Sequence, residues 1–229
     1  MNKNISFKKS QSGFTLVEIA IVLVIIGLLL GGVLKGTELI DNAKVKRAVG
    51  EINGVTAAFY AYQDRYQRLP GDDGPNVAAL RTRGGSWSNV GSSGNNNGIF
   101  LVTLAQTFTG GGEGAAFWQH LKAAGFISGN PADLVLDALP RNAFGGLLGV
   151  TSVAVGDPAA PISGRIVCSS QVPGKSAAAM DVAMDDGNAN TGKLRASAAG
   201  LAGVNTAPTA AAVAPAYNEG SYYTICSQI

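Results

Sequence analysis

A largely apolar run fills residues 14–34 and carries one acidic side chain, Glu18, near its start. As a helix, this run would span about 31 Å, which matches the thickness of a bilayer core. An ionised carboxylate in a bilayer costs about 3 kcal/mol on insertion scales, so such a group is expected to have a partner. The pattern predicts a membrane-spanning helix with a functional charge.

A helical periodicity continues beyond this run, because apolar side chains recur at spacings of three and four. No proline interrupts residues 14–69, and Leu69–Gly74 contains strong stop signals. We predict one helix of about 53 residues, with a transmembrane or filament-core half at 14–36 and an amphipathic half at 37–69. A domain of this size cannot bury such a helix, so lipid or other copies must cover its first half. The apolar stripe comprises Val45, Ala48, Ile52, Val55, Phe59, Tyr62 and Tyr66.

Residues 70–229 are predicted to form a globular head that mixes helices and strands. Phe117 and Trp118 are expected in its core. The predicted elements are an irregular loop at 71–98, a short amphipathic helix at 113–125, strands at 146–155, 164–169 and 221–226, a short helix at 175–185, and a surface excursion with little regular structure at 196–216.

The N-terminal residues have the charge of a targeting segment. Lys3, Lys8 and Lys9 precede the apolar run, and positive charge there keeps that end in the cytoplasm while later residues are translocated. A small residue, Gly13, comes before the run, so cleavage after it would leave the apolar segment on the mature protein. An uncleaved signal anchor is the alternative. The net charge of +2 gives no reason to expect nucleic-acid binding.

The two cysteines, Cys168 and Cys226, both lie in the translocated part. In an oxidising compartment they predict one disulfide that closes a loop of about 58 residues. Two free thiols are the alternative. A metal site that includes the lone His120 is disfavoured, because no ligand pair has the usual short spacing.

Oxygen-rich side chains cluster near residues 181–190. Asp181, Asp185, Asp186 and Asn188 could hold calcium, which prefers oxygen ligands. The spacing does not fit an EF-hand, and the alternative is a solvated turn whose side chains cap their own backbone. The pair Asp72–Asp73 is a weaker candidate.

No catalytic constellation stands out, so we predict that the chain is not an enzyme. His120 is the single histidine and is expected at the surface or partly buried. The sequence has no nucleophile elbow and no phosphate-binding loop.

The segment Gly13-Phe14-Thr15-Leu16-Val17-Glu18, after a short basic leader, resembles the class III signal of type IV pilins and type II secretion pseudopilins. The resemblance is specific over residues 8–36 and looser over the whole chain. It implies an α+β pilin fold, in which a long N-terminal helix packs against a C-terminal antiparallel sheet, with an intervening loop region and a disulfide loop.

The resemblance also implies a maturation route. A prepilin peptidase would remove leader residues 1–13 by cutting between Gly13 and Phe14, and would N-methylate Phe14. Glu18 would then pair with the amine of Phe14 in a neighbouring copy. The precursor would cross the inner membrane once with its head in the periplasm, where copies of itself and related pilins, with an inner-membrane assembly platform, would build a helical filament.

The leading hypothesis is a structural subunit of a type IV pilus-like filament, which would end up as an extracellular pilus. A pseudopilin of a type II secretion system, in a periplasmic pseudopilus, is the alternative, because the long helix lacks the proline that many type IV pilins carry after the membrane core. A third hypothesis is a singly anchored binding or enzyme domain with a coincidental leader match. Adhesion, motility, DNA uptake and secretion share this subunit plan.

Overall fold

The computed structural model describes residues 13–229, so leader residues 1–12 lie outside the described part. Contacts divide the chain into two units, of which the first ends at Asp41 and the second is Asn42–Ile229. Helix α1, Leu16–Tyr66, is unbroken over 51 residues and contributes to both units. The prediction of one long helix is confirmed. It ends slightly early because Gln67 adopts a left-handed backbone with φ 54°.

The first unit presents its apolar side chains to the surroundings. Leu28 is 73 % exposed and Leu34 is 70 % exposed, although burying such side chains is favourable by about 1.5–3 kcal/mol each. Within the described residues, α1 is the one helix long and apolar enough to cross a membrane. Such an apolar surface calls for an apolar cover, such as lipid or the helices of other copies.

In the second unit, α1 buries the predicted stripe from Val45 to Tyr62, while Tyr66 at its end is only partly buried. The spacing of three and four places these side chains on one face, where they join a hydrophobic core shared with helix α3 (Gly112–Ala123) and the sheet. Phe59 of α1, for example, stacks on Phe117 with ring centroids 6.4 Å apart. The buried residues of α1 are Val45, Ala48, Ile52, Val55, Ala58, Phe59 and Tyr62.

The head contains a four-stranded antiparallel sheet in the order β1-β2-β4-β3. This arrangement after a long helix confirms the predicted α+β, pilin-like fold. The last strand lies inside the sheet, so the chain ends by pairing with strands on both sides. The strands are β1 (Leu148–Thr151), β2 (Ile166–Pro173), β3 (Leu194–Ala199) and β4 (Tyr222–Gln228).

Strand β3 corrects the prediction of little regular structure at 196–216. Alanine has a low β propensity, and this segment has the sequence Leu-Arg-Ala-Ser-Ala-Ala. It nevertheless pairs with β4 along its whole length, from Leu194 opposite Ser227 to Ala199 opposite Tyr222. Pairing with a neighbouring strand therefore overrides local propensity.

The helices correct two further predictions. The loop predicted at 71–98 contains α2 (Val77–Arg81), which Asn76 caps by accepting the Ala79 N–H at 2.9 Å, and a 3-10 helix at Gly85–Asn89. Helix α3 (Gly112–Ala123) is buried on all sides from its third residue onward, so its predicted amphipathic character is wrong. The expected core positions of Phe117 and Trp118 are confirmed.

Helix α4 (Gly174–Met184) lies where a short helix was predicted. Two more 3-10 helices, Leu104–Gln106 and Val135–Ala138, flank α3 along the chain.

Candidate processing and assembly site

The bond between Gly13 and Phe14 lies just before α1, in backbone that is neither helix nor strand. Phe14 is 85 % exposed, and a Cβ added at Gly13 would meet no atom within 4 Å. Exposed, irregular backbone is the form in which a peptide bond is open to proteolysis. Residues 13–229 therefore do not enclose the predicted cleavage bond.

Glu18 closes the start of α1 through a reciprocal cap with Thr15. The Thr15 N–H and hydroxyl both donate to Oε2 of Glu18 at 2.8 Å, and the Glu18 N–H donates to the Thr15 hydroxyl at 3.2 Å. This is a capping box, which satisfies donors at a helix start. The Thr-x-x-Glu spacing before an apolar run was a readable signal of it that our sequence analysis missed.

The cap leaves one oxygen of Glu18 unused. Both Thr15 donors reach Oε2, and Oε1 accepts no hydrogen bond from residues 13–229. In the uncleaved chain the nitrogen of Phe14 is an amide and carries no charge. Cleavage after Gly13 would turn that nitrogen into a cationic amine. The pairing of Glu18 with such an amine in a neighbouring copy stays a prediction.

An ion pair between Lys35 and Glu38, at 2.8 Å, follows the apolar part of α1. Charged side chains first become frequent at this point of the helix, as expected where a helix leaves an apolar environment. Both side chains are more than half exposed, so the pair contributes little to stability.

The disulfide between Cys168 and Cys226 is present, as predicted. The two residues lie directly opposite each other on β2 and β4, and both are fully buried. The bond closes a loop of 58 residues, so it ties the last strand to the middle of the sheet.

The three aspartates predicted as calcium ligands come together at the end of α4. Carboxylate oxygens of Asp181, Asp185 and Asp186 lie within 4.8 Å of one another. Burial raises the pKa of Asp181, and the negative charges of its two neighbours raise it further. A divalent cation would relieve this repulsion.

The same oxygens also accept hydrogen bonds from the surrounding loop. Asp181 accepts the Tyr217 hydroxyl at 2.5 Å and the Gly187 N–H at 3.0 Å. The Asn188 side chain accepts the Asn190 N–H at 3.1 Å, as in a turn that caps its own backbone. We call residues 181–192 the acidic loop. Calcium binding by this loop stays a prediction.

Asp73, part of the weaker predicted cation pair, lies in a buried hydrogen-bond network. Its carboxylate accepts the Tyr62 hydroxyl at 2.5 Å and two Arg83 N–H groups at 2.8 and 3.0 Å. Burial raises the pKa of Asp73, but Arg83 and Tyr62 outweigh burial and hold that pKa below its usual range. The network ties the end of α1 to the loop that follows it.

His120 is completely buried on α3, so the expected surface or partly buried position is wrong. Its Nδ1 accepts the Gly71 N–H at 3.1 Å, and Nε2 lies 3.3 Å from the Ser92 carbonyl oxygen. This pair of contacts fits the neutral ring with its proton on Nε2. Burial lowers the pKa of His120 to about 4. The ring therefore acts as a neutral bridge between α3 and two loops.

A comparison of the chain with curated proteins gave no match. The scan against family models matched one segment, residues 8–34, to the family described as the prokaryotic N-terminal methylation motif. The matched residues include Gly13, Phe14 and Glu18, together with the whole apolar run. The chain therefore carries a class III prepilin signal at its N-terminus.

Proposed function

We propose that this chain is the precursor of a structural subunit in a type IV pilus-like filament. The observation that carries the proposal is the methylation motif at residues 8–34, with an exposed bond after Gly13 directly before a capped apolar helix. A prepilin peptidase would cut that bond and N-methylate Phe14. No enzymatic activity of the chain itself is proposed.

The exposed apolar half of α1 provides the surface through which copies would pack in a filament. In the precursor, lipid covers this surface, and in a filament the helices of other copies cover it. Because lipid and neighbouring helices are both apolar, exchanging one for the other changes the hydrophobic free energy little. Helix packing adds close contacts at small residues, and Gly27 and Gly31 offer such positions four residues apart.

Glu18 would set the register between copies. Its Oε1 is available to accept a hydrogen bond from the amine of a cleaved Phe14 in another copy, while Oε2 keeps the cap. A charge-assisted bond of this kind is about twice as strong as a neutral one. The amine would also neutralise the Glu18 carboxylate, which is costly in lipid without a partner. Moving from the membrane into a filament therefore becomes favourable.

The proposed location follows from the same features. The precursor would cross the inner membrane once, and its head would fold in the periplasm, where the Cys168–Cys226 disulfide can form and persist. The partners would be prepilin peptidase, an inner-membrane assembly platform, further copies of the chain and related pilins.

A pseudopilin of a type II secretion system is the second candidate. The observation behind it is the absence of proline from α1. Sheared surface fibres that contain the chain would support the pilus. Loss of exoprotein secretion on deletion, without any surface fibres, would support the pseudopilin.

Mass spectrometry of the protein from cells tests the proposed maturation. We expect a chain that begins at Phe14 and carries one additional methyl group. A Gly13→Leu variant should keep its leader, because a bulky side chain replaces the open position before the cut bond. A wild-type chain that still begins at Met1 in cells with active prepilin peptidase would refute the proposal.

A further inference from the structure

A polar pocket of about 270 Å³ lies in the second unit beside the end of α1. Two arginines, Arg68 and Arg165, line it, and Leu69 is its one large apolar residue. Such a lining suits a polar, anionic group more than an apolar one. Three side-chain amides, those of Gln63, Gln67 and Asn96, complete the polar wall.

Arg165 is held in place but lacks a hydrogen-bond acceptor. Its guanidinium carbon lies 5.5 Å from the centre of the Phe59 ring, and its backbone carbonyl accepts the Ile229 N–H at 2.9 Å. The Nε atom is buried and has no partner among residues 13–229. Proteins rarely leave a buried donor unpaired, because it has given up water without a replacement.

The acidic residue in the pocket, Asp72, forms no ion pair with either arginine. Asp72 is buried, and its oxygens accept the Asn97 N–H at 3.2 Å and the Gly98 N–H at 2.8 Å. In the described part of the chain, neither Arg68 nor Arg165 forms an ion pair within 4.0 Å. The pocket therefore combines two guanidinium groups, which form no ion pair among residues 13–229, with a single carboxylate, so the formal charge of its lining is +1.

We propose that this pocket binds a carboxylate group, with Arg165 as the fixed contact and the exposed Arg68 as the second. The planar fork of a guanidinium matches the two oxygens of a carboxylate, and the amides can hydrogen-bond to further polar atoms of the ligand. The carboxylate can come from a small free acid or from an acidic side chain of a second copy. The second source rests on the proposed function.

Arginine side-chain NMR tests the pocket directly. The full chain, labelled with ¹⁵N-arginine in detergent micelles, is titrated with D-glucuronate, and D-glucose serves as the uncharged matched probe. Glucuronate should shift the Arg165 Nε–H resonance in a saturable way, and glucose should leave it unmoved. No shift with glucuronate, or an equal shift with both probes, overturns the proposal.

Three variants sharpen this test. Loss of one charged contact, in Arg165→Gln or Arg68→Gln, should weaken glucuronate binding about tenfold, which corresponds to about 1.4 kcal/mol. Arg141→Gln, an exposed arginine outside this pocket, should bind as the wild type does. For Arg165→Gln, binding is followed by the Nε–H resonance of Arg68, the other labelled arginine of the pocket. Because Arg68 is exposed, its variant keeps the test valid even where Arg165→Gln unfolds. Wild-type affinity in a folded Arg68→Gln or Arg165→Gln overturns the proposal.

A second titration, on assembled filaments, identifies the source of the carboxylate. Loss of glucuronate binding on assembly means that a second copy supplies the group, whereas retained binding means that a free acid does. If the chain is never processed or assembled, the proposed function fails. The titration of the unassembled chain still decides whether this pocket binds a carboxylate.

Discussion

Acidification should destabilise the head through the buried His120. In the folded protein, burial lowers the pKa of this ring from 6.5 to about 4. As the pH falls, His120 therefore binds a proton near pH 6.5 in the unfolded chain, but only near pH 4 in the folded chain. Since the unfolded state binds more protons in this range, the free energy of unfolding falls as the pH falls. The contribution of the neutral His120 to the free energy of unfolding is complete above about pH 6.5. It is lost progressively between that value and about pH 4.

The size of the effect follows from the two pKa values. One pKa unit corresponds to about 1.4 kcal/mol, so the gap between 6.5 and about 4 corresponds to about 3 kcal/mol in full. The structural reason is that a protonated ring cannot accept the Gly71 N–H, which lies 3.1 Å from Nδ1. Asp73 counteracts this, because its negative charge favours the protonated ring.

Urea unfolding of the full chain in micelles measures the loss, with the fluorescence of Trp87, in a variant that carries Trp118→Phe, as the signal. The ring of Trp87 lies 5.7 Å from that of His120, so it reports on the right region. His120→Gln serves as the matched variant, because an amide can accept and donate without titrating. Between about pH 7 and pH 4.5, the wild type should lose about 2 kcal/mol more than this variant. Equal losses in both would refute the reasoning, since carboxylates titrate in both proteins.

Asp73→Asn should lower the free energy of unfolding by about 3 kcal/mol, because it leaves Arg83 without its buried partner. Thermal unfolding measures the change, and the control Asp64→Asn, at an exposed position, should alter the free energy of unfolding by less than about 0.5 kcal/mol. Reduction of the Cys168–Cys226 disulfide, or replacement of both cysteines by serine, should lower the free energy of unfolding by about 4 kcal/mol, because the bond closes a 58-residue loop. An unchanged melting temperature would contradict this. Glu18→Leu should still insert and be cleaved but assemble poorly, as judged by fibre yield after shearing, and normal fibres would rule out its register role. Calcium should raise the melting temperature of the head if the acidic loop binds it, and EDTA should reverse that rise; no shift would remove the prediction.

Local signals in the sequence were sufficient for the N-terminal part of the chain. The apolar run, the residues flanking Gly13 and the stripe from Val45 to Tyr66 all act within a few helical turns, so their spacing predicts the helix and the motif. The sequence also contained the capping box of Thr15 and Glu18, since its partners are three residues apart.

The missed features depend on contacts between distant parts of the chain. Strand β3 has weak propensity of its own, and its pairing with β4 comes from a segment about 30 residues later in the chain. His120 is buried because loops around Gly71 and Ser92 cover α3. No periodicity within α3 indicates that cover, so a polar side chain there suggests the surface.

The sequence by itself determined the long helix, the prepilin signal and the pairing of the two cysteines, because those features rest on local pattern or on a single possible pair. Only the tertiary structure decided where the polar side chains of the head belong. It placed Asp73 with Arg83 and Tyr62. It also placed Arg165 beside a pocket and left its Nε without a hydrogen-bond acceptor among residues 13–229. The physical reason is that burial and hydrogen bonding depend on what surrounds a residue in space, and separation along the chain does not fix those surroundings.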